Sequence, residues 1–455
     1  MVCSGINMAI VSLSSSSILY QNSENTVFLI DIPTSIQEAQ GVDSQPCTDR
    51  LFSAQPMQKP FSTNEPKSQA AVEKIQQNTV DAELHAYYAQ LIREALVEIQ
   101  SHWQNDWCLT RFTAPMSSGD LDQRSRKRKS GPNDRRSTDS ISECDSRISL
   151  PSNLMQKMTA LTRKSLWRTR WPRPLQHLCQ SEGTLLEGPD DPFYAIANTE
   201  QTSQDLAVSD KELPGFGHER VYSFQVPPLS TFMLSDIKGF GHLHESVAEL
   251  ERQKHELRRF DIILMDPPWP NASAKRRSGY KLHRTLADMK TTILSLQLDS
   301  LLKEQGHVGV WITNKPSLRD SIVGEDGLFG HLELQLVEEW VWIKTTTNGQ
   351  PITSLDSLWR KPYEILLLGR RMGARQESQF NVKSRVIAGV PDLHSRKPCL
   401  KKLMPLLVPD ARNYLALELF ARHLTSEWWS WGDEVLKFNW KGFWSSSPCE
   451  ADSSG

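Results

Sequence analysis

None of the seven cysteines (Cys3, Cys47, Cys108, Cys144, Cys179, Cys399 and Cys449) stands in a C-x-x-C pair. That lack, together with an odd total, excludes a zinc ribbon and the paired framework of a small secreted domain; a reducing intracellular compartment is expected. No metal-ligand spacing stands out, and no metal is expected. A run of about 18 apolar residues is missing too, so no membrane span is expected. The opening MVCSGINMAIVSLSSSSILY has no basic cluster ahead of its apolar stretch, which a secretory signal requires. Nor is there a G-x-G-x-x-G loop to cradle a dinucleotide, which argues against a nicotinamide enzyme. Two GFGH copies, at 215–218 and 239–242, follow no strand suited to that task and read as turns. Excess charge of one sign is also absent: formal net charge is −2, so any surface for a polyanion is a local patch.

The texture of what is present changes along the 455 residues, a length that allows two to three domains. Residues 1–77 are rich in Ser, Gln, Asn and Pro without sustained periodicity. They are expected to be disordered, because such a segment buries too little apolar surface to offset its ordering entropy. Over 78–108, Leu84, Tyr87, Tyr88, Leu91, Ala95 and Ile99 recur at three- and four-residue spacing, the stripe of an amphipathic helix packed on the body of the protein. Residues 109–150 read as a Ser-rich linker. Its basic cluster, centred on RSRKRK, is plain solvated charge, an address for nuclear import or a loose nucleic-acid contact. Residues 151–219 are expected to form a helical or mixed accessory region. Its LTRKSLWRTRWPRP interleaves Arg and Trp, which suits stacking on bases, although Trp in a helix more often belongs to a core.

Between 220 and 442 apolar runs of strand length alternate with helix-like stretches. FDIILMD, HVGVWITN, LVEEWVWIKT, YEILLLGRR, SRVIAGV and NYLALELF are the strands, and TLADMKTTILSLQLDSLLKE is a helix. A further helix is expected to open at Pro398, since proline suits the first helical position. Fully apolar strands alternating with helices indicate an α/β domain with a parallel or mixed sheet covered on both faces. Residues 443–455 are expected to be a disposable polar tail.

One stretch carries chemistry. FDIILMDPPWPNASAKRR ends a strand on Asp266, and ligands of an α/β sheet bind beyond the carboxyl ends of its strands. Pro267 and Pro268 have fixed φ and no N–H, so the turn offers acceptors and no competing donor from either proline. The guest of an acceptor-only mouth is an amino group with two N–H donors. Trp269 offers a flat face on which a heterocycle can stack. An exocyclic amine on a purine meets both demands. Its nitrogen lone pair is delocalised into the ring, and strong acceptors on the two N–H groups return electron density to it during attack on an electrophilic methyl. Asn314, at the end of WITN, is either a rim residue or a plain strand cap.

Around this mouth the chain resembles the N6-adenine methyltransferase family that includes the eukaryotic messenger-RNA adenosine methyltransferase, most closely its methyltransferase-like protein 4 branch. The likeness rests on FMLSDI, the DPPW block, VWITN with EEWVWIKTTTNGQ and RKPYEILLLGRR, and HSRKPCL with LELFARHLTSEWWSWGDEVLKF. It implies a permuted Rossmann-like methyltransferase sheet, S-adenosylmethionine as cofactor and adenine N6 as target. It also implies roles at matching positions. Asp236 and Ile237 meet the cofactor's adenine; Asp266 faces the cofactor and the target amine; Lys397, Arg422, His423, Asp433 and Glu434 contact the cofactor. Asp433 stands where the family has Asn, and His423 where this branch has Asn. Past the mouth, Asn271, Lys275, Arg276, Arg277 and Tyr280 are candidates for the substrate, the basic ones for phosphates of a passing strand. The substrate implied is an unstacked internal adenosine, 2′-O-methylated, in spliceosomal small nuclear RNA, with DNA adenine as the alternative. A nuclear protein acting alone is expected. A catalytically silent scaffold is the reading from another class; such relatives lose the acidic mouth, which this chain keeps.

Overall fold

The computed structural model describes residues 16–62, 68–69, 81–113, 175–180, 194–209, 221–235, 237, 240–254, 259–270, 285–357, 361–371, 381–410 and 412–445. The basic cluster of 109–150, the Arg- and Trp-rich stretch and the first GFGH copy lie outside these residues.

FDIILM has five of its six residues buried, as a strand inside a sheet covered on both faces must. In chain order the strands are β1 (Ile18–Gln21), β2 (Val27–Ile30), β3 (Arg50–Leu51), β4 (Leu175–Gln180), β5 (Tyr194–Asn198), β6 (Gln204–Ser209), β7 (Val221–Val226) and β8 (Thr231–Leu234). There follow β9 (Phe260–Met265), β10 (Leu302–Ile312), β11 (Leu334–Lys344), β12 (Tyr363–Arg371), β13 (Lys383–Gly389), β14 (Ala416–Leu419), β15 (Trp429–Gly432) and β16 (Trp444–Ser445). Twelve of them make one mixed sheet in the order β1-β2-β13-β11-β12-β10-β9-β14-β15-β8-β5-β4. Its central run, β10-β9-β14-β15-β8, is parallel throughout. Strand β12 is antiparallel to both β10 and β11, which points β11 the same way as that run. Strands β13 and β2 continue parallel to β11. The loops that leave all these parallel strands therefore gather on one edge of the sheet. This is the α/β methyltransferase architecture that the strand pattern and the family likeness lead one to expect.

Two apolar layers cover the faces. On one, helix α2 (Ala82–His102) lays down Tyr88, Ile92, Ala95 and Ile99, with Leu243 and Val247 of α3 (Phe240–Lys254) and Met289 and Ile293 of α4 (Leu286–Ser295). Tyr87, placed in the stripe by spacing, points out and is 44% exposed. On the other face lie Ile32 and Ile36 of α1 (Ile32–Glu38), Leu400, Leu403 and Met404, and the aromatic residues Phe438, Phe443 and Trp444.

Several expectations need correcting. Residues 16–62 are folded, not disordered. The four-residue run VFLI of β2 is buried on both faces and pairs with β13 in register Val27↔Val386, Phe28↔Ile387 and Leu29↔Ala388. A polar average over 77 positions hides so short an apolar strand, which gains its burial from a partner far along the chain. Within the region expected to be helical or mixed, the described residues 175–180, 194–198 and 204–209 are strands, and β5 extends the sheet beyond β8. Residues 240–242 of the second GFGH open helix α3 instead of closing a turn. After Pro398 the chain does not enter an α-helix. A 3-10 stretch runs from Lys401–Leu406 with Pro405 inside it, where the proline has no N–H for an α-helical bond.

If β2 is integral, Phe28→Ala should lower the unfolding free energy by about 3–5 kcal/mol in urea denaturation. A loss under about 1 kcal/mol is what an undocked, disordered segment would give.

Candidate active site

Strand β9 ends at Met265 and delivers Asp266 to the edge where the parallel strands finish. The turn that follows is closed by its own backbone: the Trp269 N–H donates to the Pro267 carbonyl at 2.8 Å. One of the acceptors expected to face a ligand is thus partly engaged in fixing the turn. Trp269 is only 9% exposed, and its indole N–H donates to the Trp311 carbonyl at 2.7 Å. A buried indole needs such an acceptor. The ring therefore pins the turn to β10 and is not the open stacking face read from the sequence.

Asp266 is gripped from two sides. Its Oδ2 accepts from Arg422 Nη1 at 2.9 Å, and Lys397 Nζ lies 3.6 Å from Oδ1. Arg422 follows β14, the neighbour of β9, and its Nε lies 3.4 Å from Glu434 Oε2, just past β15. Lys397 arrives in the loop after β13. Three segments remote in sequence meet at one carboxylate because parallel strands end together. Of the sequence-predicted cofactor set, Asp266, Lys397, Arg422 and Glu434 are brought into direct contact. Asp433 adjoins Glu434, and Ile237 is buried just after β8. Asp236, Asn271, Lys275, Arg276, Arg277 and Tyr280 lie outside the described residues.

Backbone conformation on two of these approaches is unusual. Ser395 has φ +72° and Phe420 has φ +58°, each two residues ahead of a cation that reaches Asp266. The left-handed region costs a non-glycine residue on the order of 1–2 kcal/mol, and strain of this kind persists where surrounding contacts over-determine the chain. Both turns are held by packing, so Lys397 and Arg422 are aimed before any ligand arrives.

Two carboxylates central to the site carry no flag in the D-P-P-W pattern. Glu364, opening β12 after Tyr363, accepts from Lys344 Nζ at 2.5 Å and from Lys397 Nζ. Burial works to raise its pKa, but the Lys344 and Lys397 ammoniums outweigh it and hold the carboxyl well below the usual range. For Lys397 burial works the other way, and the Asp266 and Glu364 carboxylates together keep its pKa raised. The ammonium also stands 4.9 Å from the centre of the Trp311 ring and 5.6 Å from that of Trp342. Glu418, on β14, lines the same cavity as Asp266, Lys397, Arg422 and His423. Burial and the charge of Asp266 push its carboxyl up to about 8, with Arg422 opposing. KPYE and ELFAR contain both acids, but only the closed fold shows which cations they meet.

His423 comes to this cavity with its ring pKa lowered to about 4, by burial and then by Arg396. Its Nε2 is buried without a hydrogen-bond partner among the described residues. Asn314 donates to the Tyr363 carbonyl at 2.8 Å, which makes it a strand cap between β10 and β12. Among the described residues no cluster of His, Cys, Asp or Glu has the form of a metal site, and no helix is long and apolar enough to cross a membrane.

Residues 260–434 match the MT-A70 family. A protein of Cryphonectria parasitica named N6-methyladenosine RNA methyltransferase MTA1 is 31% identical over 442 residues, 95% of this chain and 95% of its own. A Pyricularia oryzae protein of the same name is 42% identical over 199 residues, covering 43% of this chain and 52% of that one. The human N(6)-adenine-specific methyltransferase METTL4 is 35% identical over 224 residues, 47% of this chain and 43% of that protein.

The raised Glu418 pKa has a signed consequence. The native state keeps this proton up to about 8, whereas the unfolded chain releases it near the ordinary carboxyl value of 4.5. Folding stability contributed here is present below 4.5 and falls as pH rises toward 8. Urea denaturation across that range should show Glu418→Gln gaining stability relative to the parent as pH rises. A difference that stays flat with pH would contradict the assignment.

Proposed function

The chain belongs to the MT-A70 family and is an S-adenosylmethionine-dependent methyltransferase, and from that premise we propose that it methylates N6 of adenine in RNA, its particular substrate an internal, 2′-O-methylated adenosine of spliceosomal small nuclear RNA. The observation that carries the adenine-N6 reading is Asp266, held between Lys397 and Arg422 at the end of β9. RNA is favoured over DNA by the end-to-end likeness to a protein named as an RNA methyltransferase. The small nuclear RNA assignment rests on the motif likeness to the methyltransferase-like protein 4 branch alone. The nucleus is the compartment it implies.

The residues at the sheet edge fit the cofactor. Lys397 offers an ammonium to its carboxylate, Asp266 an acceptor to its amino group, and Asp433 and Glu434 acceptors to its ribose hydroxyls. The Nε2 of His423, without a partner among the described residues, is a buried polar atom that a bound hydroxyl would satisfy. S-adenosylmethionine supplies an electrophilic methyl on a sulfonium. Everything else is done by the chain. Asp266 accepts from the N6 amino group and strengthens that bond as the nitrogen becomes cationic on attack, a stabilisation that grows toward the transition state. The proton leaves the nitrogen after the methyl has arrived, so Asp266 need not act as a strong base. Lys397 and Arg422 hold the carboxylate in one orientation, and Trp269 and the two prolines fix the turn on which it sits. Preorganised acceptors cost no rearrangement at the moment of reaction.

The test is methylation of small nuclear RNA, messenger RNA and duplex DNA at matched salt, read by nucleoside mass spectrometry. N6-methylated adenosine is expected on RNA, foremost on the small nuclear RNA; product on DNA alone would overturn the substrate. Asp266→Asn should lower kcat by about 10²–10³, because it weakens the acceptor that the developing charge needs. Unchanged kcat in a well-folded Asp266→Asn preparation would end the mechanism.

A further inference from the structure

Helix α1 lies far upstream of the family-matched stretch 260–434, yet it reaches both loops that carry the cofactor-facing cations. Asp31 caps it, accepting from the Thr34 N–H at 3.1 Å, and Pro33 occupies its first turn. On the Lys397 loop, the Cys399 N–H donates to Ser35 Oγ at 2.9 Å, and Arg396 Nη1 donates to the Phe52 carbonyl at 2.6 Å. On the Arg422 loop, the Ser426 N–H donates to the Ala39 carbonyl at 2.8 Å. Ile36 lines the same cavity as Asp266 and Lys397.

The tightest link is an amide pair. Gln40 is 1% exposed; its Nε2 donates to the Leu424 carbonyl at 2.8 Å and its Oε1 accepts from Asn439 Nδ2 at 2.7 Å. Asn439, fully buried, returns its Oδ1 to the Leu424 N–H at 2.7 Å. Both polar groups of Leu424 are therefore fixed by side chains, one of them from the N-terminal segment. Leu424 is two residues past Arg422, whose own carbonyl accepts from the Phe438 N–H at 2.9 Å. A donor on one side and an acceptor on the other leave this turn a single position.

We propose that residues 31–54 are part of the cofactor site, and that Gln40 is a positioning residue that sets Arg422 against Asp266 and Glu434 through the Leu424 peptide. The proposal rests on the cofactor reading above. It goes beyond it, because it makes the N-terminal segment a determinant of cofactor affinity as well as of stability.

Gln40→Glu keeps the shape and, as a carboxylate, sets an oxygen that cannot donate against the Leu424 and Ile36 carbonyls. Ile92→Ala, on the opposite face of the sheet, serves as a purely structural control. Each full-length protein is titrated with S-adenosylhomocysteine by calorimetry at a temperature below its melting transition, and KM for S-adenosylmethionine and kcat are measured alongside. Gln40→Glu should weaken cofactor binding and raise KM by about tenfold, the effect of one buried carbonyl left unpaired, with a smaller change in kcat. Ile92→Ala should lower the melting temperature and leave the dissociation constant within roughly twofold. Native affinity in a destabilised Gln40→Glu, or equal weakening in both variants, would overturn the proposal. If Gln40→Glu does not fold, Ser35→Ala takes its place, with the same weakening expected through the Lys397 loop and native affinity as the contrary result. Failure of the parent protein to bind would instead bring down the cofactor reading, and this proposal with it.

Discussion

Everything at the sheet edge is arranged around one carboxylate between two cations. Asp266 is worth little as an acceptor unless its orientation is fixed, and two charge-assisted contacts fix it. Those contacts need Lys397 and Arg422 to arrive from loops after β13 and β14. The parallel order of the central strands brings both loops to the same edge. Lys397 in turn is shared with Glu364, and Arg422 with Glu434, so the charge of each cation is balanced inside the site. A buried cation with one partner removed is far more costly than the pair, and this makes the five groups interdependent.

Much of the catalytic half was legible in the residues. FDIILM, YEILLLGRR and the other apolar runs are strands because they are covered on both faces, and that condition shows in sequence as the absence of alternation. The D-P-P-W turn was legible for the same local reason: an acid and two prolines at a strand end have few other uses. Trp269 was misjudged because composition reveals an aromatic ring and not whether its N–H has found a buried acceptor. Glu364 and Glu418 escaped notice because groups that set their charge are distant in sequence: Lys344 of β11 and Lys397 after β13 for the first, Asp266 after β9 for the second.

The N-terminal segment was missed for a different physical reason. VFLI is four residues long, and short strands owe their burial to partners rather than to propensity. Arg396 and Asp392, both fully buried, show how firmly the segment is tied in: Asp392 takes the Ala54 N–H at 2.6 Å and Arg396 at 2.8 Å, while Arg111 donates to the Ala54 carbonyl at 3.2 Å. These partners come from three stretches remote in sequence, at Ala54, at Arg111 and at Asp392 with Arg396. A reading that takes composition window by window has no access to a cluster built from three distant windows.

The placement of β2 also constrains synthesis. It leaves the ribosome well ahead of β13, yet Val27 pairs with Val386, so its neighbour in the sheet is made on the order of tens of seconds later at ordinary elongation rates. During that interval the edge of β2 that β13 will cover, opposite the one paired with β1, keeps its N–H and C=O groups open to other chains. The catalytic sheet cannot close until the carboxyl-terminal third has emerged. Successful production of this protein should therefore depend on whatever shields residues 16–62 while the partners of β2 are still being translated.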